Sequence, residues 1–325
     1  MNRRRFVTYL PLAFAVPAAA NAQKTGVPPR IGLFWIRGAG STQYVDAFRE
    51  AMRSLGYADG KDVVIDTRFM VDRYEALADA AAALSREKVS VIVVYGSTAA
   101  QALYKAAPST PIVLATGGDP VKLGAARSLG RPGGNVTGLT SISGDLSGKR
   151  LELLKEILPG VQRTAVLFYP GSPSEQDSLR QYRAAAQALN ITLQPIEVLN
   201  PGEIGPAIAR IADTGAQAAV VVGSSMFSAY RREVLVAMGK LRLPVMYPNA
   251  NFVEDGGLVA YSANMGHLFQ RTAGYVDRIL KGAKPGDLPI EQPSKLELAV
   301  NLNTARALGI TIPQSVLVRA DRLID

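Results

Sequence analysis

The sequence predicts an α/β fold of two Rossmann-like, flavodoxin-like lobes with parallel sheets, joined by a hinge of several chain crossings. Three observations predict it. An alternating strand and helix pattern from Arg30 to Ser141 recurs, segment by segment, from Arg163 to Tyr261. The strands of that pattern are continuous apolar runs, as in parallel sheets covered on both faces. Once a leader of 22 residues is set aside, about 300 of the 325 residues remain, enough for two domains of about 150.

The repeat can be followed residue by residue. Ile31-Gly-Leu-Phe-Trp35 matches Ala165-Val-Leu-Phe-Tyr169, two strands that end in an aromatic. Val91-Ile-Val-Val-Tyr-Gly96-Ser97-Thr98 matches Ala218-Ala-Val-Val-Val-Gly223-Ser224-Ser225, each stopping at glycine and two hydroxyl residues. Thr110-Pro-Ile-Val-Leu-Ala-Thr116 matches Leu243-Pro-Val-Met-Tyr-Pro-Asn249. In the first lobe these patterns predict strands near 31–35, 63–68, 89–95 and 112–116, with helices near 43–55, 74–86 and 99–106. The second lobe repeats them with strands near 164–169, 192–197, 216–222 and 245–247 and helices near 174–189, 203–214 and 226–240. Parallel α/β units bind ligands at the carboxyl ends of their strands, and here those ends carry the aromatic and hydroxyl residues.

Gly130-Arg-Pro-Gly-Gly-Asn-Val-Thr-Gly138 reads as the close of a helix, a turn, and a strand leading toward the second lobe; glycine accounts for most of it. Asn249-Ala-Asn-Phe-Val253 reads as the return crossing. After it, Leu258 to Ala263 and an amphipathic helix from His267 to Leu280 are expected to rejoin the first lobe, and Leu296 to Asp325 to cross once more. The N-terminal lobe is therefore expected to comprise residues 29–140 with about 252–290, and the C-terminal lobe 141–251 with about 291–325.

Residues 1–22 read as a cleavable secretory signal: Asn2-Arg-Arg-Arg5, an apolar run from Phe6 to Val16, then Ala20-Asn21-Ala22. The run is shorter than the roughly 20 residues of a membrane span. The basic pair before Phe6 is compatible with both the Sec and the twin-arginine routes. Export to a periplasm, without stable membrane insertion, is the expectation. The chain has no cysteine and one histidine, His267, so thiol nucleophiles, Cys-ligated zinc, iron–sulfur clusters and histidine-rich metal sites are excluded. No metal or cofactor is expected. Net charge is +9, nearer +6 once Arg3, Arg4 and Arg5 leave with the leader (9 − 3). Basic residues are scattered among acids, with no basic stripe and no interleaved aromatics, so nucleic acid is not a partner. A modest positive charge favours anionic solutes weakly.

Several motifs then carry a family resemblance: Leu55-Gly-Tyr57, Gly96-Ser-Thr98, Pro111-Ile-Val113, Asp119-Pro120, Arg131-Pro-Gly-Gly-Asn-Val-Thr-Gly138, Leu151-Glu-Leu-Leu154, Asn301-Leu-Asn-Thr-Ala305 and Leu308-Gly-Ile-Thr-Ile-Pro313. In these, spread over nearly the whole mature chain, it resembles the periplasmic solute-binding proteins of ABC importers, in the family with the tryptophan- and tyrosine-binding members. The resemblance implies a type I periplasmic-binding architecture that closes on a small solute, is expected to be a monomer, and docks on a permease and ATPase complex. It does not name the solute.

Candidate contacts follow from closure, which needs a ligand that touches both lobes. Ser97 and Thr98 stand at a helix start, where free N–H groups, hydroxyls and the helix dipole suit a carboxylate; either is equally explained as an N-cap. Ser224 and Ser225 are their second-lobe equivalents. Trp35 and Tyr169 would clamp a flat ligand across the cleft, an aromatic contact worth roughly 0.5–1.5 kcal/mol beyond area burial, unless they pack under loops. Arg37 would pair with a carboxylate. Thr116 ends a strand, and Asp119, before Pro120, would take an ammonium group or, the favoured reading, cap a helix. Asn249 and Tyr261 would line the cleft near the return crossing. Gly144-Asp-Leu-Ser-Gly-Lys-Arg150 is one residue short of a phosphate loop and has arginine where serine or threonine would hold magnesium. His267 has no Gly-x-Ser-x-Gly partner motif and reads as a surface or capping residue. The favoured function is an importer's binding protein for an amino acid or a small carboxylate, aromatic or not, without catalysis. A sensory ligand-binding subunit is the alternative. An exported two-lobed racemase would need the cysteine pair that is missing.

Overall fold

The computed structural model describes residues 27–36, 42–70 and 77–325; the expected signal peptide and Arg37 lie outside these, as do the side chains of Trp35, Ser97 and Thr98. The first lobe runs β1 (Arg30–Ile36), α1 (Thr42–Ser54), β2 (Val64–Met70), α2 (Leu77–Arg86), β3 (Val91–Tyr95), α3 (Ser97–Ala106), β4 (Ile112–Thr116) and β5 (Val136–Gly138). Its five strands are parallel, in the order β2-β1-β3-β4-β5. Successive side chains on a strand point to opposite faces, and the apolar runs feed two layers accordingly. Ile31, Leu33, Val91 and Val93 pack with Val45, Phe48 and Met52 of α1, while Phe34, Ile92, Val94 and Leu114 pack with Leu84 and Leu103 beneath α2 and α3.

The second lobe runs α4 (Ser147–Ile157), β6 (Arg163–Phe168), α5 (Pro173–Leu189), β7 (Thr192–Glu197), α6 (Ile204–Ala209), β8 (Ala218–Val221), α7 (Ser225–Ala229), α8 (Arg231–Leu241), β9 (Val245–Tyr247), α9 (Ala250–Glu254) and β10 (Val259–Ala263). Then α10 (Met265–Leu280) leads to β11 (Leu296–Asn301), α11 (Leu302–Ala307), α12 (Gln314–Leu317) and β12 (Arg322–Ile324). The second sheet has the order β12-β11-β10-β9-β8-β6-β7. The repeat read in sequence is thus a repeat of topology: β2-β1-β3-β4 in one lobe, β7-β6-β8-β9 in the other. Each order reverses beside its first strand, the switch point where open α/β sheets leave a crevice.

Three expectations are corrected. Leu258 to Ala263 does not return to the first lobe, because β10 pairs parallel with β9 and antiparallel with β11. Asn249–Val253 is then no crossing but the β9–α9 connection, whose Phe252 and Val253 lie in the second-lobe core. The return to the first lobe falls at Asn264, after which Leu268, Phe269, Ala273 and Val276 of α10 pack into the α1 core and Tyr57 donates to Asp277 at 2.8 Å. An apolar strand satisfies either sheet equally, so its periodicity carries no lobe label. Third, residues 120–130 form turns and bends rather than a helix. The expected helix over 226–240 also divides, at Tyr230 (φ −101°, ψ 32°). The C-terminal β11 and β12 pair in the second sheet.

Three strands of chain therefore pass between the lobes: residues 139–146, 263–265 and 291–296. The first and third run side by side, with Leu139 bridged to Glu291 and the Thr140 amide donating to the Glu291 carbonyl at 2.9 Å. The Arg131–Gly138 motif builds their approach. The Asn135 amide donates to the Ala107 and Thr110 carbonyls, both at 2.8 Å, locking the α3–β4 turn. The Thr137 hydroxyl donates to the Leu288 carbonyl at 2.8 Å.

Gly138 has φ +119°, and a Cβ there would stand 2.3 Å from the Leu114 carbonyl oxygen. Gly138→Ala is expected to lower stability by about 2 kcal/mol or more, since left-handed strain alone costs about 1–3 kcal/mol and the β4 backbone must also move. Urea unfolding of the two proteins measures it.

Candidate functional site

A cavity of about 440 Å³ opens between the lobes, within the range of small-molecule sites. The first lobe contributes Tyr95, Gly96 and the Thr116–Asp119 loop, all at the carboxyl ends of β3 and β4. The second contributes Ser172–Glu175 at the start of α5, Ser224 and Ser225 at the start of α7, and Asn249 after β9. Thr140–Ser143, Ser262, Ala263, Met265 and Gln292, from the crossings, form its hinge end. Both switch points thus open onto one space.

The lobes are drawn together over it. Gly96 approaches Ser225 so closely that a Cβ on Gly96 would stand 2.1 Å from the Ser225 hydroxyl oxygen. The Tyr44 hydroxyl donates to Asn251 Oδ1, Tyr95 hydrogen-bonds Ser228, and Lys122 meets Asp177 at 2.7 Å. Burial raises the phenol pKa of Tyr44 and of Tyr95 above the ordinary value, so both hydroxyls stay protonated.

Five residues singled out in sequence reach the cavity wall: Thr116, Asp119, Ser224, Ser225 and Asn249. Asp119 also caps, though a turn instead of a helix, with Oδ1 accepting from the Val121 amide at 2.8 Å. Ser224 is the α7 N-cap and accepts from the Met226 amide at 3.2 Å. Tyr169 and Tyr261 are not brought to the wall. Tyr169 packs against the Val221 and Phe227 core and Tyr261 against the Leu298 core, the loop-packing role that strand-end aromatics often take. Gly96, at φ +93°, donates its amide to the Thr116 carbonyl at 2.9 Å, which sets the start of α3 beside the Thr116 loop.

Two charged residues that sequence reasoning passed over lie in the same wall. Glu175, 3 % exposed, accepts from the Tyr169 amide at 3.0 Å and is hydrogen-bonded by Ser224. Burial pushes its carboxyl well above the usual carboxylate range, and those two hydrogen bonds only partly oppose this. In sequence Ser172-Pro-Ser-Glu175 looks like an ordinary capping box, which hid it; here the carboxylate turns to the Tyr169 amide instead. Arg150, 1 % exposed, donates Nε to the Tyr261 carbonyl at 2.8 Å, Nη1 to the Ser143 carbonyl at 2.9 Å and hydroxyl at 3.2 Å, and Nη2 to the Pro248 carbonyl at 3.2 Å. The sequence offered it only as the arginine that spoils a phosphate loop.

Two facing α/β lobes, three crossings and a closed inter-lobe cavity describe a hinged capture device, and residues 33–324 match the family model for ABC transporter substrate binding protein. The chain belongs to that family. The binding protein is 26 % identical over 267 residues to the tyrosine-binding protein of Clostridioides difficile (strain R20291), covering 81 % of this chain and 75 % of the relative. Among solved structures it superposes with TM-score 0.85 on a conserved domain protein from Vibrio cholerae, 27 % identical, over 91 % of this chain and all of that one. It also superposes with TM-score 0.85 on an ABC domain from Streptococcus pneumonia in complex with L-Trp, 24 % identical, over 92 % of this chain and all of that one. These matches make the fold that of two-lobed periplasmic binding proteins. Members of the family are substrate-binding proteins, not enzymes, and among the described residues no helix is long and apolar enough to cross a membrane.

Gly96→Ala is expected to wedge the lobes apart at Ser225. With a bound ligand its radius of gyration in small-angle scattering should exceed that of the wild type, and Gly96→Ala combined with Ser225→Gly should recover part of the difference.

Proposed function

We propose that this protein is an exported, periplasmic solute-binding protein that captures an α-amino acid between its lobes and delivers it to the permease and ATPase of an importer. The observation that carries the amino acid is Glu175. A carboxyl group buried in a cavity wall, held by one amide and one hydroxyl, is costly to ionise until a cation arrives. An α-ammonium group is such a cation. The starts of α3, α5 and α7 meet the same cavity, and their unpaired N–H groups and dipoles favour the accompanying carboxylate.

Both charges of a zwitterion are thereby matched without metal or covalent chemistry. Thr116, Ser224, Ser225 and Asn249 supply polar contacts in this reading, and Ser97, Thr98, Arg37 and Trp35, which end or follow β3 and β1, are proposed partners from their sequence positions. Asp119 is left to its turn. The tyrosine-binding and L-Trp-bound relatives support an amino acid, and the apolar surface of Leu123, Leu129, Ile142 and Met265 suits one with a large side chain. Contact with both lobes favours closure through differential affinity for the closed state.

A thermal-shift screen of refolded mature protein against the amino acids, dicarboxylates, sugars and nucleosides tests the class. A ligand at 100 times its dissociation constant adds about 2.7 kcal/mol to the native state. Hits confined to α-amino acids support the reading; hits confined to sugars or nucleosides sink it.

The raised Glu175 carboxyl also gives a pH signature. The free protein holds the proton to a higher pH than the complex, where the ammonium group favours the ionised form. Binding in that window releases a proton, so affinity rises with pH by up to tenfold per unit until the free carboxyl has ionised. Glu175→Gln should weaken binding and abolish the slope, read by calorimetry in buffers of different ionisation enthalpy.

A further inference from the structure

Thr140 and Ser262 stand at the hinge end of the cavity, on the first crossing and on the last turn of β10 before the second. They are 3 % and 4 % exposed, and neither hydroxyl has a hydrogen-bond partner among the described residues. Such groups are uncommon, because a buried polar atom without a partner costs stability. Valine and alanine would fill the same space without that cost.

Arg150 lies between them in the structure. It bonds Ser143, three residues beyond Thr140, and the carbonyl of Tyr261, the neighbour of Ser262. Guanidinium has five N–H donors, and four hydrogen bonds are formed: one from Nε, two from Nη1 and one from Nη2. One N–H on Nη2 remains. All four partners are neutral oxygens, and among the described residues no carboxylate forms an ion pair with Arg150, so its buried charge is solvated by dipoles alone.

We infer that Thr140, Ser262 and the remaining N–H of Arg150 form a donor pocket that receives an oxygen acceptor on the ligand's side chain, remote from its ammonium group. Arginine donates only, and the hydroxyls are free to donate, so the three together suit a phenol oxygen, a carboxylate or an amide carbonyl. Leu129, Ile142 and Met265 flank the approach and suit an apolar stem. The ligand class is then an α-amino acid whose side chain ends in oxygen. This rests on the amino-acid reading above and narrows it. The hydroxyls keep the pocket at some expense of stability, as recognition groups do.

The test pairs ligands that differ only at the tip: L-tyrosine with L-phenylalanine, and L-glutamate and L-glutamine with L-norvaline. Their affinities are measured by calorimetry on the wild type, Thr140→Val, Ser262→Ala and the double variant, alongside melting temperatures without ligand. The wild type is expected to prefer the oxygen-bearing member of at least one pair by tenfold or more. In the double variant that ratio should fall toward one, while affinity for the apolar member is kept and the ligand-free melting temperature rises.

Equal affinities within every pair overturn the pocket, and so does a preference that survives in the double variant. Binding of several amino acids with no tip preference removes the pocket and leaves the amino-acid reading standing. Failure of every amino acid to bind removes that reading; the melting temperatures then decide, since a fall in both single variants means the hydroxyls already have partners and overturns the pocket, and a rise in both supports it.

Discussion

One buried guanidinium holds the hinge to the second lobe. Arg150 gathers the carbonyls of Ser143, Pro248 and Tyr261, oxygens from the first crossing, the end of β9 and the strand that feeds the second crossing. None of these carbonyls is used there by the sheet, and each would be expensive to bury unpaired. A neutral side chain could not offer donors in three directions at once, and lysine lacks the planar fork that fixes their angles. The position of the cavity floor, and so of everything the lobes close upon, follows from that group. Removing it would leave buried carbonyls without partners, a larger loss than the bonds themselves.

The architecture was legible because it is periodic. Eight apolar runs set the strands, and the internal repeat supplied the order in which they pair; β4, β7 and β9 begin and end where the apolar pattern does. The lobe of β10 was not legible, since Val259–Ala263 would satisfy either sheet and only its partners β9 and β11 decide. The helix expected before Gly130 was misread for a related reason: Asp119-Pro120 is a good start for a helix and equally for the chain of turns that occurs.

The site divided in the same way. Thr116, Ser224, Ser225 and Asn249 were found because ligand sites in parallel sheets lie at strand ends, a rule of topology that transfers to sequence. Glu175 and Arg150 were not, because their meaning is burial. A glutamate three residues after a serine at a helix start is ordinary until its neighbours exclude water, and an arginine on a helix is ordinary until three segments close over it. The aromatics erred in the opposite direction: Tyr169 and Tyr261 stand where a clamp would be, and pack inward.

The corrected crossings also bear on how the chain is put together in time. The apolar face of α1 is covered by α10, a helix more than 200 residues later, and β10 lacks a neighbour on one side until β11 pairs with it. Neither lobe is a contiguous stretch of chain. A nascent polypeptide emerging in order would carry the first sheet with one side open, and completion of both halves waits on the last fifth of the sequence. Contacts so distant along the chain slow folding, and for a protein that must pass through a membrane before it folds, slowness is useful: the late segments act as a delay on premature collapse.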